Sequence, residues 1–190
     1  EHGRVPQWWP KVAGPVALFW GLIDPRLDAQ WCKALAGALG ERGGSLVLAG
    51  PEQNAEASVR GLDNTVFPGA IGYDDLPELA SLADVLVMPY VDAAVTRAMQ
   101  PLKLKEYLAT DRPVVVRDLP ATVGWSDCCD VVGDAGAFVQ RCLERVGAGL
   151  LDGQRTARNR RLADESWSQK AKTFACVWSG VESQPMRSAA

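Results

Sequence analysis

The stretch PLKLKEYLATDRPVVV, residues 101–116, passes from a helix through a break into a strand. Pro101 suits the first helical position, where its missing N–H would have no partner in any case. Leu104, Tyr107 and Leu108 fall at i, i+3 and i+4 and make one apolar face, with Leu102, Glu106 and Ala109 as a second stripe at its edge. Asp111-Arg112-Pro113 ends the helix, and three valines follow at once. A short, uniformly apolar run of this kind reads as a strand buried on both faces.

The same unit recurs to either side. PVALFW (15–20), SLVLAG (45–50), NTVFPGAIG (64–72), DVLVMPY (84–90), PVVVRD (113–118) and DVV (130–132) read as strands. Helices are predicted over 29–42, near 52–61, over 73–83, from 101, over 134–151 and over 165–178. Asp28 is the expected N-cap of the first, with Trp31, Leu35, Ala38 and Leu39 on its buried face. Asp74 or Asp75 is expected to start the helix over 73–83. Buried strands, each followed by a helix, give an α/β fold: a Rossmann-like, doubly wound parallel sheet with helices on both faces. Residues 1–13, with Trp8-Trp9, are read as a lead-in segment, 14–178 as the single domain and 179–190 as a disordered tail.

Composition narrows the chemistry. The chain has 190 residues, 47% of them hydrophobic, which suits one compact domain. A net charge of −3 argues against a nucleic-acid partner and requires any anion site to be local. No apolar run is long enough to span a bilayer and no signal peptide is read, so a cytoplasmic protein is expected, with the inner face of the membrane as the alternative place. Five cysteines without paired spacing, Cys128-Cys129 included, read as reduced thiols. The single histidine, His2, leaves no basis for a Ser-His-Asp or zinc centre, so neither metal nor cofactor is expected.

In a doubly wound sheet, ligands sit beyond the carboxyl ends of the strands. That directs attention to the loops Gly21–Leu27, Gly50–Gln53, Val91–Gln100 and Asp118–Asp127. The ten residues 91–100 exceed the usual two to six of a βα loop. Lys103 and Lys105 stand at the start of the following helix, where the dipole disfavours cations unless an anion is shared between them. A phosphate would supply that anion, held also by free backbone N–H groups. Glu106, one turn further in, would then reach a ribose, whose paired hydroxyls a carboxylate accepts. The plainer reading is an exposed Lys103–Glu106 ion pair of little consequence. Arg155, Arg158, Arg160 and Arg161 read as a solvated face, with peripheral attraction to membrane lipid as the sharper alternative.

The segment MQPLKLKEYLATDRPVVV, following ADVLVMPY, resembles the P-x-K-x-x-E-Y-x-A-x-G-x-P-V-V segment of family 4 (group 1) glycosyltransferases of the GT-B fold. FWGLIDPRLD, LVLAGPE, FPGAIGYDDLPELASLADVLVMPY and DESWSQKAKTF are similar to further stretches of that family, so the resemblance covers about residues 14–178. It implies the C-terminal, donor-binding half of a bacterial surface-polysaccharide enzyme of retaining type. Its donor substrate would be a nucleoside-diphosphate sugar, the sugar passing to a carbohydrate or lipid-linked acceptor. The resemblance places Glu106 on the donor ribose, and Leu102 and Lys103 on the turn whose amides meet the diphosphate. It places Gly21 in the loop beside the phosphates, and Arg26 as a phosphate contact in that loop. It names no catalytic residue here. It also implies a partner that the 190 residues do not contain, an N-terminal Rossmann-like domain, without which this chain alone would be inactive.

The chain departs from the pattern in places. The first glutamate of the family's E-x7-E motif falls on Ala98, and Asp111 stands where a glycine is usual. Two rival functions stay open at this stage: a non-catalytic nucleotide-binding or interaction module, and half of a GT-B-fold sugar-nucleotide epimerase. The absence of an internal histidine counts against the second.

Overall fold

The computed structural model describes residues 5–100 and 102–178. The tail read over 179–190 lies outside them. Six strands, β1 (Val16–Trp20), β2 (Ser45–Ala49), β3 (Thr65–Gly69), β4 (Val85–Met88), β5 (Val114–Arg117) and β6 (Asp130–Val132), form one sheet. Every pairing is parallel and the order is β3-β2-β1-β4-β5-β6. All residues of β1, β2 and β4 are buried, as their unbroken apolar runs require.

The helices are α1 (Ala29–Gly40), α2 (Ala57–Arg60), α3 (Leu76–Leu82), α4 (Ala94–Ala98), α5 (Leu102–Leu108), α6 (Pro120–Val123), α7 (Ala135–Ala148), α8 (Asp152–Ala163) and α9 (Trp167–Trp178). From β1 the chain moves one way across the sheet to β2 and β3, and after β4 the other way. Right-handed crossovers therefore put α1 and α5 on opposite faces. On the first face α1 packs on α7, with the Trp31 and Phe138 rings 4.9 Å apart. On the second, α5 meets α8.

Asp28 caps α1 as expected, accepting from the amides of Gln30 and Trp31. The buried face of α1 is completed by Cys32 and Ala36, while Ala38 is only half-buried. Asp74 and Asp75 sit in a single 3₁₀ turn, Tyr73–Asp75, and neither caps α3 through its side chain. The segment near 52–61 is helical only over Ala57–Arg60. Trp9 is buried in the core, so ordinary packing accounts for it. Cys32, Cys128, Cys129 and Cys142 are buried free thiols.

The largest departure from the sequence reading is α8. Its buried positions are Gln154, Ala157 and Arg158, so it shows no apolar stripe. Arg158 is 2% exposed and donates to the carbonyls of Cys128, Thr110 and Arg112 at 2.7, 3.2 and 2.7 Å. Arg155 pairs with Asp111, and Arg161 pairs with Asp127 while lying over the Trp125 ring. The four arginines are therefore not one solvated face: Arg155 and Arg160 are exposed, Arg161 is half-buried and Arg158 is buried. No helix among the described residues is long and apolar enough to cross a membrane.

Candidate functional site

The reversal of direction between β1 and β4 opens a crevice at the carboxyl edge of the sheet, the place where such folds take ligands. Its floor is built by glycines. Gly21 follows β1 at φ +143° and Gly50 follows β2 at φ +148°, and a Cβ on Gly50 would stand 1.7 Å from the Gly21 carbonyl oxygen. Only glycine lets the two loops pass this closely.

The loop after Gly21 is not slack. Gly21 N–H donates to Ala49 O at 2.8 Å and Ile23 N–H to Pro51 O at 2.9 Å. On the other side, Asp28 N–H donates to Pro89 O at 2.8 Å and Val91 N–H to Arg26 O at 2.7 Å. Arg117, at the end of β5, donates to Asp28 at 2.6 Å and to Tyr90 O at 3.1 Å, and its guanidinium lies 4.3 Å from the Trp31 ring centroid. The ends of β1, β4 and β5 are thus tied together at the crevice.

Four of the five residues singled out in the sequence surround this floor. Lys103, from α5, reaches back over Gly21, and its ammonium lies 5.0 Å from the Phe19 ring centroid. Burial, and next the nearby Arg26 charge, lower its pKa to about 8, against the pull of Glu106 and Asp24. Arg26 is held by Asp24, with Nε–O distances of 3.0 and 2.8 Å, over the ring of Tyr90. That hydrogen bond, more than burial opposes it, raises the Arg26 pKa. Glu106 is half-buried and accepts from the Trp20 indole at 3.4 Å. The Lys103–Glu106 pair of the plainer sequence reading is not among the ion pairs formed by the described residues.

Leu102 stands apart. Its side chain is exposed, and its amide, expected to face a diphosphate, already donates to Gln100 O at 2.9 Å. The long loop 91–100 is also not irregular throughout, because α4 occupies its middle. Thr96 ties it, accepting from Ala93 N–H and donating to Val91 O at 2.5 Å. Ala98 ends that helix and leaves no carboxylate there.

Beside the floor, between α3 and α5, lies a cleft of about 870 Å³ lined by Trp20, Tyr73, Leu76, Pro77, Lys105 and Glu106, among others. Its far end is closed at the junction of α8 and α9, where Glu165 pairs with Lys105 and, at 2.8 Å, with Lys170. The lining combines apolar side chains such as Trp20, Leu76 and Pro77 with charged ones, Glu106 among them, the mixture a small-molecule site presents.

The model of the family described as glycosyl transferases group 1 matches residues 14–146. The chain belongs to the group 1 glycosyltransferases. This group 1 chain is 34% identical over 113 residues to TuaH of Bacillus subtilis (strain 168), a protein assigned as a teichuronic acid biosynthesis glycosyltransferase, covering 57% of this chain and 28% of TuaH. Among solved structures, sucrose-phosphate synthase (tll1590) from Thermosynechococcus elongatus superposes with a TM-score of 0.62 and 20% identity, over 89% of this chain and 46% of that one. Anabaena Alr3699/HepE, solved in complex with UDP and glucose, gives a TM-score of 0.60 and 14% identity, over 85% and 48%. At these identities the two structures establish the fold, the Rossmann-like half of a GT-B architecture. The chain spans between about a quarter and a half of the length of these relatives.

Two features of the crevice were not singled out in the sequence. Trp20 and Asp24 were read as a strand end and a loop residue, yet each holds one of the charged side chains at the crevice. The signal available was the bulky aromatic directly before a glycine at a strand's carboxyl end.

Proposed function

We propose that this chain is the donor-binding domain of a glycosyltransferase. It holds a nucleoside-diphosphate sugar, and the enzyme transfers the sugar to a carbohydrate or lipid-linked acceptor in the building of a surface polysaccharide. The observation that carries the reading is the convergence of Gly21, Lys103 and Glu106 on the crevice at the switch point of the sheet. The diphosphate lies against the Gly21 loop, with Lys103, whose ammonium sits on the bare face of that glycine, and Arg26 as cations. Glu106 accepts the ribose hydroxyls, and the base enters the cleft beside Tyr73 and Leu76. Membership of the group 1 family supports this, as does the likeness to TuaH.

In this reading the domain's contribution to the reaction is electrostatic. Negative charge develops on the departing diphosphate, and fixed cations in a partly desolvated crevice stabilise it most in the transition state. The acceptor is held by a second Rossmann-like domain, and closure of the two excludes water. The sugar is transferred with retention, and the nucleotide sugar acts as substrate without a cofactor.

Titration calorimetry of the chain against UDP, GDP and ADP tests the proposal. One diphosphate is expected to bind, with a loss of about 1.5–3 kcal/mol in Glu106→Ala, the worth of a hydrogen bond to a charged group. Binding that ignores Glu106, or no binding by any of the three, overturns the assignment of the site.

A further inference from the structure

We infer that Trp20 is a positioning residue for Glu106: its indole N–H fixes the carboxylate in the orientation that receives the two vicinal hydroxyls of a donor ribose. The inference rests on the reading of the crevice as a nucleoside-diphosphate site and adds to it a residue that the site residues read from the sequence do not include.

Trp20 is the last residue of β1, and its own placement is over-determined. The buried hydroxyl of Tyr107 receives the Trp20 amide N–H at 2.9 Å and donates to the Trp20 carbonyl at 3.1 Å. The two rings pack with centroids 4.1 Å apart. Tyr107 directly follows Glu106 on α5, so one residue locks Trp20 while its neighbour receives the indole N–H at 3.4 Å. Trp20 is only 5% exposed, and its side chain lines the cleft next to Glu106.

The chemistry of the pair is one-sided. An indole N–H is a donor only, and an ionised carboxylate has two oxygens with about four lone-pair sites. The indole engages Oε2, and among the described residues it is the donor hydrogen-bonded to Glu106. Glu106 lines the cleft, and its carboxylate keeps the acceptor capacity that a cis-diol needs. A glutamate without this anchor would rotate about its side-chain torsions and would have to be ordered by the ligand, at a cost in affinity.

The test compares hydroxyl dependence, which packing alone does not move. Whichever of UDP, GDP and ADP binds tightest is titrated alongside its 2′,3′-dideoxy counterpart, into the unmutated chain, Trp20→Phe and Glu106→Gln. Phenylalanine keeps the ring against Tyr107 and removes the donor. The unmutated chain is expected to prefer the ribose form, and Trp20→Phe to lose about two- to tenfold of that preference, the net worth of one hydrogen bond, while binding the dideoxy form as before. Equal weakening of both forms, or a full preference retained, overturns the inference. A preference that survives Glu106→Gln intact overturns the underlying site assignment instead. If Trp20→Phe does not fold, the ¹⁵N-indole resonance of Trp20 in the unmutated chain decides. A shift with the ribose form alone supports the anchor, and the same shift with both forms refutes it.

Discussion

Lys103 lies on the bare face of Gly21: a Cβ built on that glycine would stand 1.4 Å from the lysine Nζ. The lysine reaches there from α5, across the switch point, and its ammonium lies 5.0 Å from the centroid of the Phe19 ring. The glycine thus serves both its own backbone angle and the seat of a cation.

Substituting that glycine separates the two demands. Gly21→Ala imposes a positive φ on an alanine, expected to cost about 1–3 kcal/mol, whereas Lys103 can swing aside. Gly50→Ala meets a backbone carbonyl that cannot move, which adds about 1–3 kcal/mol of overpacking to the same strain. Urea unfolding of the two variants should therefore rank Gly50→Ala as the more damaging, and an equal loss would refute the close passage of the loops.

The depressed Lys103 pKa gives a pH dependence with a definite sign. The folded value is about 8 and the ordinary one 10.5, so between them the folded chain binds fewer protons than the unfolded chain. Stability contributed at this group therefore rises with pH across that window. Diphosphate affinity should move the other way, falling as pH rises through about 8 and the cation is lost. Calorimetry in buffers of different ionisation enthalpy near that pH should show proton uptake on binding, and Lys103→Met should abolish it.

Arg158 is the buried member of the α8 arginines, and burial lowers its pKa to about 10. Removing it leaves three carbonyls short of a donor. Arg158→Met is expected to destabilise the domain by about 2–4 kcal/mol. Arg160→Ala, at an exposed position, should stay within about 0.5 kcal/mol. Thermal unfolding of the pair measures the contrast, and similar losses would show that α8 is not anchored through Arg158.

Asp28 serves α1 as a cap and Arg117 as an ion-pair partner at 2.6 Å. Asn can cap but cannot pair, so Asp28→Asn isolates the ion pair. Asp28→Ala should cost about 1 kcal/mol more than Asp28→Asn, the value of the cap. Chemical denaturation of both variants gives the difference. No difference between them would mean that the cap contributes nothing.

The order of the six strands, the helices α1, α3, α5, α7 and α9, and the buried face of α5 were legible in the sequence, because each rests on a local apolar period, whereas α4, α6 and α8 were not. Leu104, Tyr107 and Leu108 are buried as their spacing requires. What periodicity could not reveal was α8, whose inward Arg158 donates to carbonyls brought in from the turn between α5 and β5 and from the segment before β6. Nor could it place Lys103 over Gly21, or Trp20 against Glu106, residues 82 and 86 positions apart in the chain. Local sequence sets which face of an element is apolar. Which distant polar groups meet is decided only when the sheet closes, since a hydrogen bond depends on a few tenths of an ångström between elements that packing alone brings together.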